Sequence, residues 1–351
     1  MKTRPVLYAL LSALLFGVST PAAKALLGST EPAMLAGLLY CGAGLAAALF
    51  RRLLRSVSSD ASLQQAALAR RDLPWLAGAI IAGGIVGPLL LMLGLARTDA
   101  AAASLMLTLE GVATALMAWF VFHENFDRRI ALGMACLVAG ALVLSWSGQP
   151  TLSNLLGPLA IVGACVAWGL DNNLTRKVSL ADPLQIVELK GLIAGPFNVV
   201  LALSMGAQLP PPVPVVLAGL VGMVGYGASL ALFVLALRGL GTARTGAYFS
   251  TAPFFGAAAA VLALNEPVTV QLGIAALLMA AGVWLHITEH HEHVHVHAAM
   301  AHDHAHSHDE HHQHEHGPLD PVGEPHTHRH RHDPLEHAHP HVPDEHHRHR
   351  H

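Results

Sequence analysis

The sequence predicts an all-α integral membrane protein in which ten transmembrane helices form two inverted five-helix repeats, followed by a disordered, histidine-rich tail. The first observation is the composition: 53% of the 351 residues are hydrophobic and 12% are charged, whereas soluble domains carry about 25% charged residues. The second is a succession of ten apolar segments, each long enough to cross a bilayer. The third is a long internal repeat, which indicates a duplicated architecture.

The repeat is clearest near the end of each half. Residues 96–124 (ARTDAAAASLMLTLEGVATALMAWFVFHE) resemble residues 241–266 (GTARTGAYFSTAPFFGAAAAVLALNE), and the two segments end on Glu124 and Glu266. The similarity continues into the apolar segment that follows each glutamate. We therefore divide the chain into a first five-helix repeat (1–150), a second five-helix repeat (151–289) and a tail (290–351).

The ten spans follow from an apolar window of about 20 residues. Lipid offers the backbone no hydrogen-bond partners, so apolar segments of this length are expected to be helices. The first span resembles a signal peptide, but residues 13–24 echo residues 164–176 of the second repeat, so we expect it to be retained. We place the spans near residues 6–27, 32–50, 74–96, 99–122, 129–147, 154–172, 184–204, 213–237, 244–264 and 269–287.

Loop charges predict the orientation. If the N terminus is cytoplasmic, the outer loops carry only Lys24 and Arg97, and the other loop arginines and lysines are cytoplasmic, as the positive-inside rule requires. Ten spans then return the C terminus to the cytoplasm, which predicts a multi-pass protein of the inner (plasma) membrane. Because five is odd, the two repeats are inverted relative to each other, an arrangement typical of secondary transporters that rock around a midplane site.

Several motifs resemble those of one family. The segment SLMLTLEGVATALMAWFVFHE, its counterpart ending in ALNEP, and the five-plus-five arrangement resemble the EamA family of the drug/metabolite transporter (DMT) superfamily, over about residues 6–287. The resemblance implies a transporter of small solutes or metabolites rather than an enzyme. Gly111 stands where a proline commonly follows the glutamate, whereas the matching position of the second repeat holds Pro253. This difference predicts a straighter helix in span 4 than in span 9.

Glu110 is the first candidate for the transport site, because it lies near the middle of span 4. A charged residue at a helix centre costs about 3 kcal/mol on insertion scales, so Glu110 is expected to face the bundle interior or water. It would contact the solute or carry a coupling proton. The alternative is a protonated or hydrogen-bonded carboxyl group that only supports packing.

Polar residues at the inner end of span 6 are the second candidate group. Asp171 and Asn172 would form a polar wall of a cavity, with Trp168 as an aromatic platform. The alternative is an interfacial tryptophan next to a solvated helix end.

In span 7, Glu188 and Lys190 would line the pathway. Alternatively, Lys190 would extend to the cytoplasmic face while Glu188 forms an ion pair with a basic neighbour such as Arg176. Among aromatic residues, we single out Tyr226 and Tyr248 as cavity-lining candidates, although such residues in apolar helices more often serve packing.

Two recurring features have structural interpretations. Glu124 and Glu266 end spans 4 and 9, which favours a hydrogen bond to a neighbouring turn at each helix boundary. Gly83 and Gly87 have the small-xxx-small spacing that lets helices approach closely.

The tail contains all of the 26 histidines except His123 and His286. It has too few apolar residues to bury a core, which predicts disorder. Imidazole is a good ligand for Ni²⁺, Co²⁺, Zn²⁺ and Cu²⁺, so the tail is predicted to bind such ions, although no cofactor is expected to be required. The candidate ligands, of low specificity, are His291, His293, His295, His297, His302, His304, His306, His308, His311, His312, His314 and His316.

Three functions remain open from the sequence. The favoured one is a proton-coupled exporter of small solutes with a metal-binding cytoplasmic tail. The second is a transporter of Ni²⁺, Co²⁺ or Zn²⁺ whose tail collects or buffers the ion, and the third is a metal- or pH-sensing membrane protein without transport. The predicted partners are the lipid bilayer, a small solute and divalent metal ions but no nucleic acid, and the sequence leaves a homodimer open.

Overall fold

The structure, a computed structural model, describes most of the ten-span region and four segments of the tail. The described residues are 3–57, 68, 70–122, 128–146, 152–178, 182–240, 242–288, 291–297, 300–306, 326–332 and 335–341.

Ten helical segments in the described part of the chain are long and apolar enough to cross a membrane, and their limits lie within about three residues of those predicted. The fold prediction is therefore confirmed. Several spans are divided into shorter helices, and two contain a π-helical turn. The helices are α1 (Thr3–Leu26), α2 (Pro32–Val57), α3 (Leu73–Ala79), π1 (Ile80–Val86), α4 (Gly87–Leu95), α5 (Ala100–Met106), α6 (Leu109–Phe122), α7 (Arg128–Ser145), α8 (Leu152–Arg176), α9 (Pro183–Ser204), α10 (Pro212–Val221), π2 (Gly222–Ala228), α11 (Ser229–Leu240), α12 (Thr242–Phe249), α13 (Ala252–Leu264) and α14 (Val270–Ile287).

Helix contacts have the symmetry expected of two repeats. Span 2 packs along its equivalent, span 7, through α2 and α9, and span 5 packs along span 10 through α7 and α14. Span 1 packs against spans 8 and 9, just as span 6 packs against spans 3 and 4. Because the number of spans is even, α1 begins and α14 ends at the same end of the bundle, which we call the N-terminal end.

The largest fully buried side chains lie mainly toward the opposite end. Leu91, Met92 and Leu95 close span 3 there, and Leu105 and Met106 lie early in span 4, which starts from that end. This apolar packing fills much of the far half of the bundle, so cavities are expected toward the N-terminal end.

Spans 4 and 9 are both interrupted near their centres. Span 4 breaks between α5 and α6 at Leu107 and Thr108, and span 9 breaks between α12 and α13 at Ser250 and Thr251. The expectation of a straighter span 4 is therefore wrong. The Thr108 hydroxyl donates to the Leu105 carbonyl at 2.8 Å, and Thr251 makes the equivalent bond in span 9. Hydroxyl groups that bond the preceding turn compete with helical hydrogen bonding, so the break does not require a proline.

Glu266 caps the start of span 4 from across the bundle. Its two carboxylate oxygens accept hydrogen bonds from the backbone N–H groups of Ala100 and Ala101, each at 2.7 Å. These are free donors of the first turn of α5, and a carboxylate also interacts favourably with the positive end of the helix. The expected hydrogen bond at a helix boundary is therefore present for Glu266, whereas Glu124 lies outside the described residues.

Replacing Glu266 with alanine is expected to lower the free energy of unfolding by about 1–2 kcal/mol, the usual effect of losing a helix cap. The measurement is thermal unfolding of the purified protein in detergent. Glu31, an exposed glutamate in the loop before α2, provides the control variant Glu31→Ala. Equal unfolding temperatures for Glu266→Ala and Glu31→Ala would contradict this role for the cap.

In the tail, four short segments form two antiparallel strand pairs. Strand β1 (His291–His297) pairs with β4 (Leu335–His341), and β2 (Met300–His306) pairs with β3 (His326–His332). Histidine alternates with other residues along most of them, which matches the two-residue period of a strand.

Candidate functional site

A central cavity of about 270 Å³ lies toward the N-terminal end of the bundle. Residues from spans 1, 2, 4, 6, 7, 8 and 9 form its wall, so both repeats contribute. The lining residues are Phe16, Tyr40, Ala43, Glu110, Trp168, Asp171, Asn172, Val187, Lys190, Gly191, Tyr226, Ser229, Leu230, Phe233 and Phe249.

Glu110 is held in this wall by span 6. It lies in the first turn of α6, immediately after the break in span 4. The Asn172 side-chain amide donates to Glu110 Oε1 at 2.9 Å and to Thr114 Oγ1 at 3.1 Å. Asn173 donates to the Thr114 carbonyl at 3.1 Å, which ties the same turns of α6 and α8 together. No described residue donates a hydrogen bond to Glu110 Oε2, so one carboxylate oxygen is available to a proton or a ligand.

An ion pair lies beside this carboxylate. Lys190 Nζ is 2.5 Å from Asp171 Oδ1 and 3.1 Å from Thr175 Oγ1, and the Thr175 hydroxyl donates to Asp171 at 2.9 Å. The side chains of Lys190 and Asp171 are only 13% and 10% exposed. The alternative in which Lys190 extends to the cytoplasmic face is therefore wrong, because its ammonium group points into the bundle.

Glu188 lies two residues before Lys190 on α9 but does not line the central cavity. Its carboxylate forms an ion pair with Arg51 of α2, with 2.7 Å between Arg51 Nε and Glu188 Oε2. This contact forms because α2 and α9 pack along their length. The suggested pairing with Arg176 stays a prediction, because the Arg176 side chain lies outside the described ones.

The π-helical turn of span 3 supplies backbone acceptors to the site. The Gly83 carbonyl accepts hydrogen bonds from the Tyr40 hydroxyl at 2.7 Å and from Trp168 Nε1 at 2.9 Å. A π-helical turn leaves some backbone carbonyls without a partner in their own helix. Inside a membrane protein these carbonyls need hydrogen-bond partners from other parts of the protein. Trp168 is only 8% exposed and makes this bond, so it is not an interfacial tryptophan.

The pair Gly83 and Gly87 makes room for the same site. A Cβ atom at Gly83 would overlap the Asp171 carboxylate, and one at Gly87 would lie 2.8 Å from Trp168 Nε1. The small-xxx-small spacing therefore allows span 6 to bring Trp168 and Asp171 against span 3.

Aromatic rings line much of the central cavity, and the sequence identified only part of this set. Tyr226 lines the cavity as predicted, whereas Tyr248 is absent from the lining of both cavities described for this structure. Sequence reasoning missed Tyr40, Phe16 and Phe249. Phe16 carried a usable signal, because the repeat aligns it with Trp168.

A second cavity, of about 370 Å³, lies between spans 4, 5, 9 and 10. It shares Phe16, Glu110 and Phe249 with the central cavity, and the two rings pack with their centroids 5.3 Å apart. Sequence reasoning did not anticipate this cavity. Its lining residues are Phe16, Leu107, Thr108, Glu110, Gly111, Leu137, Gly246, Ala247, Phe249, Ser250, Ala252, Pro253, Val283, His286 and Ile287.

Metal ligands were predicted in the tail. Within the part of the chain that the structure describes, no three His, Cys, Asp or Glu residues are grouped as a metal site. The candidates His308, His311, His312, His314 and His316 lie outside the described residues, and the others fall in β1 and β2: His291, His293, His295, His297, His302, His304 and His306.

Ten apolar helices in two five-helix repeats, enclosing a cavity with polar and charged walls, define a multi-pass membrane transporter. Residues 3–146 and 155–288 match the model of the EamA-like transporter family, and the chain belongs to this family. It is therefore a DMT-superfamily membrane protein that transports small solutes across a lipid bilayer.

Two relatives are named as transport proteins. An uncharacterized transporter of Methanothermobacter thermautotrophicus is 27% identical over 284 residues, covering 77% of this chain and 82% of the relative. A probable 4-amino-4-deoxy-L-arabinose-phosphoundecaprenol flippase subunit, ArnE, of Pseudomonas fluorescens is 37% identical over 90 residues, covering 26% of this chain and 78% of the relative. A protein of known crystal structure, 17% identical, shares the fold with a TM-score of 0.58 over 80% of this chain and 95% of the other.

Proposed function

We propose that this transporter is a secondary active exporter that exchanges protons for a small solute bound in the central cavity. The observation that carries the proposal is Glu110, a carboxylate in mid-membrane whose Oε1 is held by Asn172 while its Oε2 has no described donor. Ionisable residues inside a membrane protein are expensive, and they mark substrate pathways and proton relays.

The exchange would follow from competition at Glu110. The ionised carboxylate binds a solute group that donates hydrogen bonds, such as an amine, and a proton arriving at the carboxylate removes that interaction. The Asp171–Lys190 pair beside it offers one acceptor and one donor group to the rest of the solute. The aromatic rings of Tyr40, Phe16 and Phe249 supply apolar surface around these groups.

Loop charges and cavity position together favour export. The positive-inside rule assigns the N-terminal end of the bundle to the cytoplasm, with both termini on that side of the inner membrane. The central cavity lies toward this end, so a cytoplasmic solute would reach Glu110 in the described conformation. After the two repeats rock, a proton from outside would displace the solute and return on Glu110.

We further propose that the tail binds transition-metal ions without taking part in solute movement. The proposal depends on the density of histidines from residue 290 onward. Protons and metal ions compete for imidazole nitrogens, so binding is expected to weaken as the pH falls.

The test is reconstitution into proteoliposomes of the full-length protein and a 1–289 truncation, under an imposed pH gradient. Both proteins are expected to transport solutes from a mixed amino-acid and metabolite pool in exchange for protons. An internal pH dye detects the proton flux. Only the full-length protein is expected to retain radioactive nickel or zinc, and neither protein is expected to transport these ions. Metal flux that disappears on truncation would overturn the proposal and favour a metal transporter.

A further inference from the structure

We propose that the second cavity is the route by which Glu110 releases its proton to the cytoplasm, with His286 as the proton acceptor near its cytoplasmic end. The inference rests on the proposed proton coupling at Glu110 and adds a second access path and a second proton-carrying residue. The solute and the proton would then reach and leave the same carboxylate through different cavities.

The geometry of the two cavities carries the inference. Glu110 is the one titratable residue that lines both, because the other shared residues are Phe16 and Phe249. His286 lines the second cavity and is absent from the central one. A volume of about 370 Å³ has room for several water molecules, since each occupies about 30 Å³ in the liquid. A hydrated path between the two side chains therefore fits in this space.

His286 is held in an orientation that suits proton transfer. Its Nε2 lies 3.2 Å from the Ile130 carbonyl, and because a carbonyl can only accept, a hydrogen bond between them requires the hydrogen on Nε2. In the neutral ring Nδ1 is then the acceptor, and no described residue occupies it. The ring packs against Gly133 of α7, where a Cβ atom would meet His286 Cδ2 at 2.5 Å. Histidine is also the side chain that most readily exchanges protons near neutral pH.

The charged and titratable groups around His286 come from α7 and α6. On α7, Arg129 donates to the Thr288 carbonyl at 3.1 Å, and Arg128 stands next to it in the sequence. The neighbouring α5 has no titratable residue, and Glu110 is the titratable residue of α6 that lines the second cavity.

The transfer is balanced without any further reactant. The Glu110 carboxylic acid gives its proton to water in the second cavity, and the water gives a proton to His286 Nδ1. The ring then gives this proton from Nδ1 to solvent water at the cytoplasmic end, so Nε2–H stays bonded to the Ile130 carbonyl. Glu110 is left as the carboxylate that binds the next solute.

The test uses two separate variants of the full-length protein, His286→Gln and Gly246→Leu. Gly246 lines only the second cavity, and a Cβ atom there meets nothing within 4 Å, so leucine should fill the cavity without a backbone clash. Gly273→Leu is the matched control, because Gly273 has the same free space and lines neither cavity. The two readouts in proteoliposomes are net proton-coupled solute transport and solute counterflow at equal pH, which needs no net proton release.

For His286→Gln and Gly246→Leu we expect net transport to fall about tenfold, while counterflow stays within twofold of wild type and Gly273→Leu resembles wild type. Unchanged net transport in both variants would overturn the inference. So would an equal loss of counterflow, because His286 would then act through folding. The proposed function is tested by a different variant. Proton coupling that survives Glu110→Gln would refute the proposed function. Coupling that depends on Glu110 but not on His286 would refute only the proton route through the second cavity.

Discussion

Replacing Glu110 with glutamine is expected to abolish proton-coupled transport while the protein still folds and inserts into the membrane. Glutamine has nearly the same volume, and its carbonyl oxygen can still accept the hydrogen bond from Asn172. It cannot exchange a proton, so a solute bound there can no longer be displaced by protonation. We expect the proton flux driven by solute to fall at least a hundredfold, as measured with an internal pH dye in proteoliposomes.

The control for this variant is Glu31→Gln, which removes an exposed carboxylate far from both cavities. Its transport rate and pH profile should match those of the wild type. Size-exclusion profiles and unfolding temperatures of Glu110→Gln should also match. A Glu110→Gln protein with wild-type flux and an unchanged pH profile would remove Glu110 from the coupling mechanism.

The second large effect is expected from Lys190→Met, which leaves Asp171 as an unpaired, mostly buried carboxylate. Breaking a buried ion pair by removing one partner costs about 3 kcal/mol or more, because the remaining charge has lost its compensation. Thr175 still donates to Asp171 and reduces this loss only in part. We therefore expect a clear decrease in unfolding temperature together with a tenfold or greater loss of solute transport.

A double variant separates stability from function. Asp171→Asn combined with Lys190→Met removes both charges, so most of the lost stability should return, as is common when a buried pair is replaced as a unit. Transport should stay low, because the cavity wall has lost both its charged donor and its charged acceptor. Recovery of transport in the double variant would show that the pair supports the fold and does not contact the solute.

Much of this architecture could be predicted from the sequence. The ten spans were placed within about three residues because hydropathy over about 20 residues reports directly on membrane insertion. The repeat predicted the inverted halves, and the insertion cost of a charge pointed to Glu110 as an interior residue. For Asp171 and Lys190 the sequence left a solvated alternative open. These signals are local, and each can be seen without knowing how the helices are rotated.

The partners of these residues could not be predicted in the same way. Asp171 with Lys190, Glu110 with Asn172, and Glu188 with Arg51 are contacts between different spans, which depend on the rotation and vertical register of each helix. Hydropathy says little about rotation when a helix is apolar on nearly every side. For the same reason the sequence named Tyr248 as a lining residue and missed Phe249, its immediate neighbour.

The sequence by itself therefore determined the ten spans, the duplication and the family, because each depends on composition or on order along the chain. Only the tertiary structure decided that the Gly83 carbonyl receives hydrogen bonds from Tyr40 and Trp168, and that Glu110 lies between two cavities. The physical reason is that hydrogen-bond partners and cavity walls are set by the packing of helices from both repeats, with residues far apart in the chain meeting across the bundle.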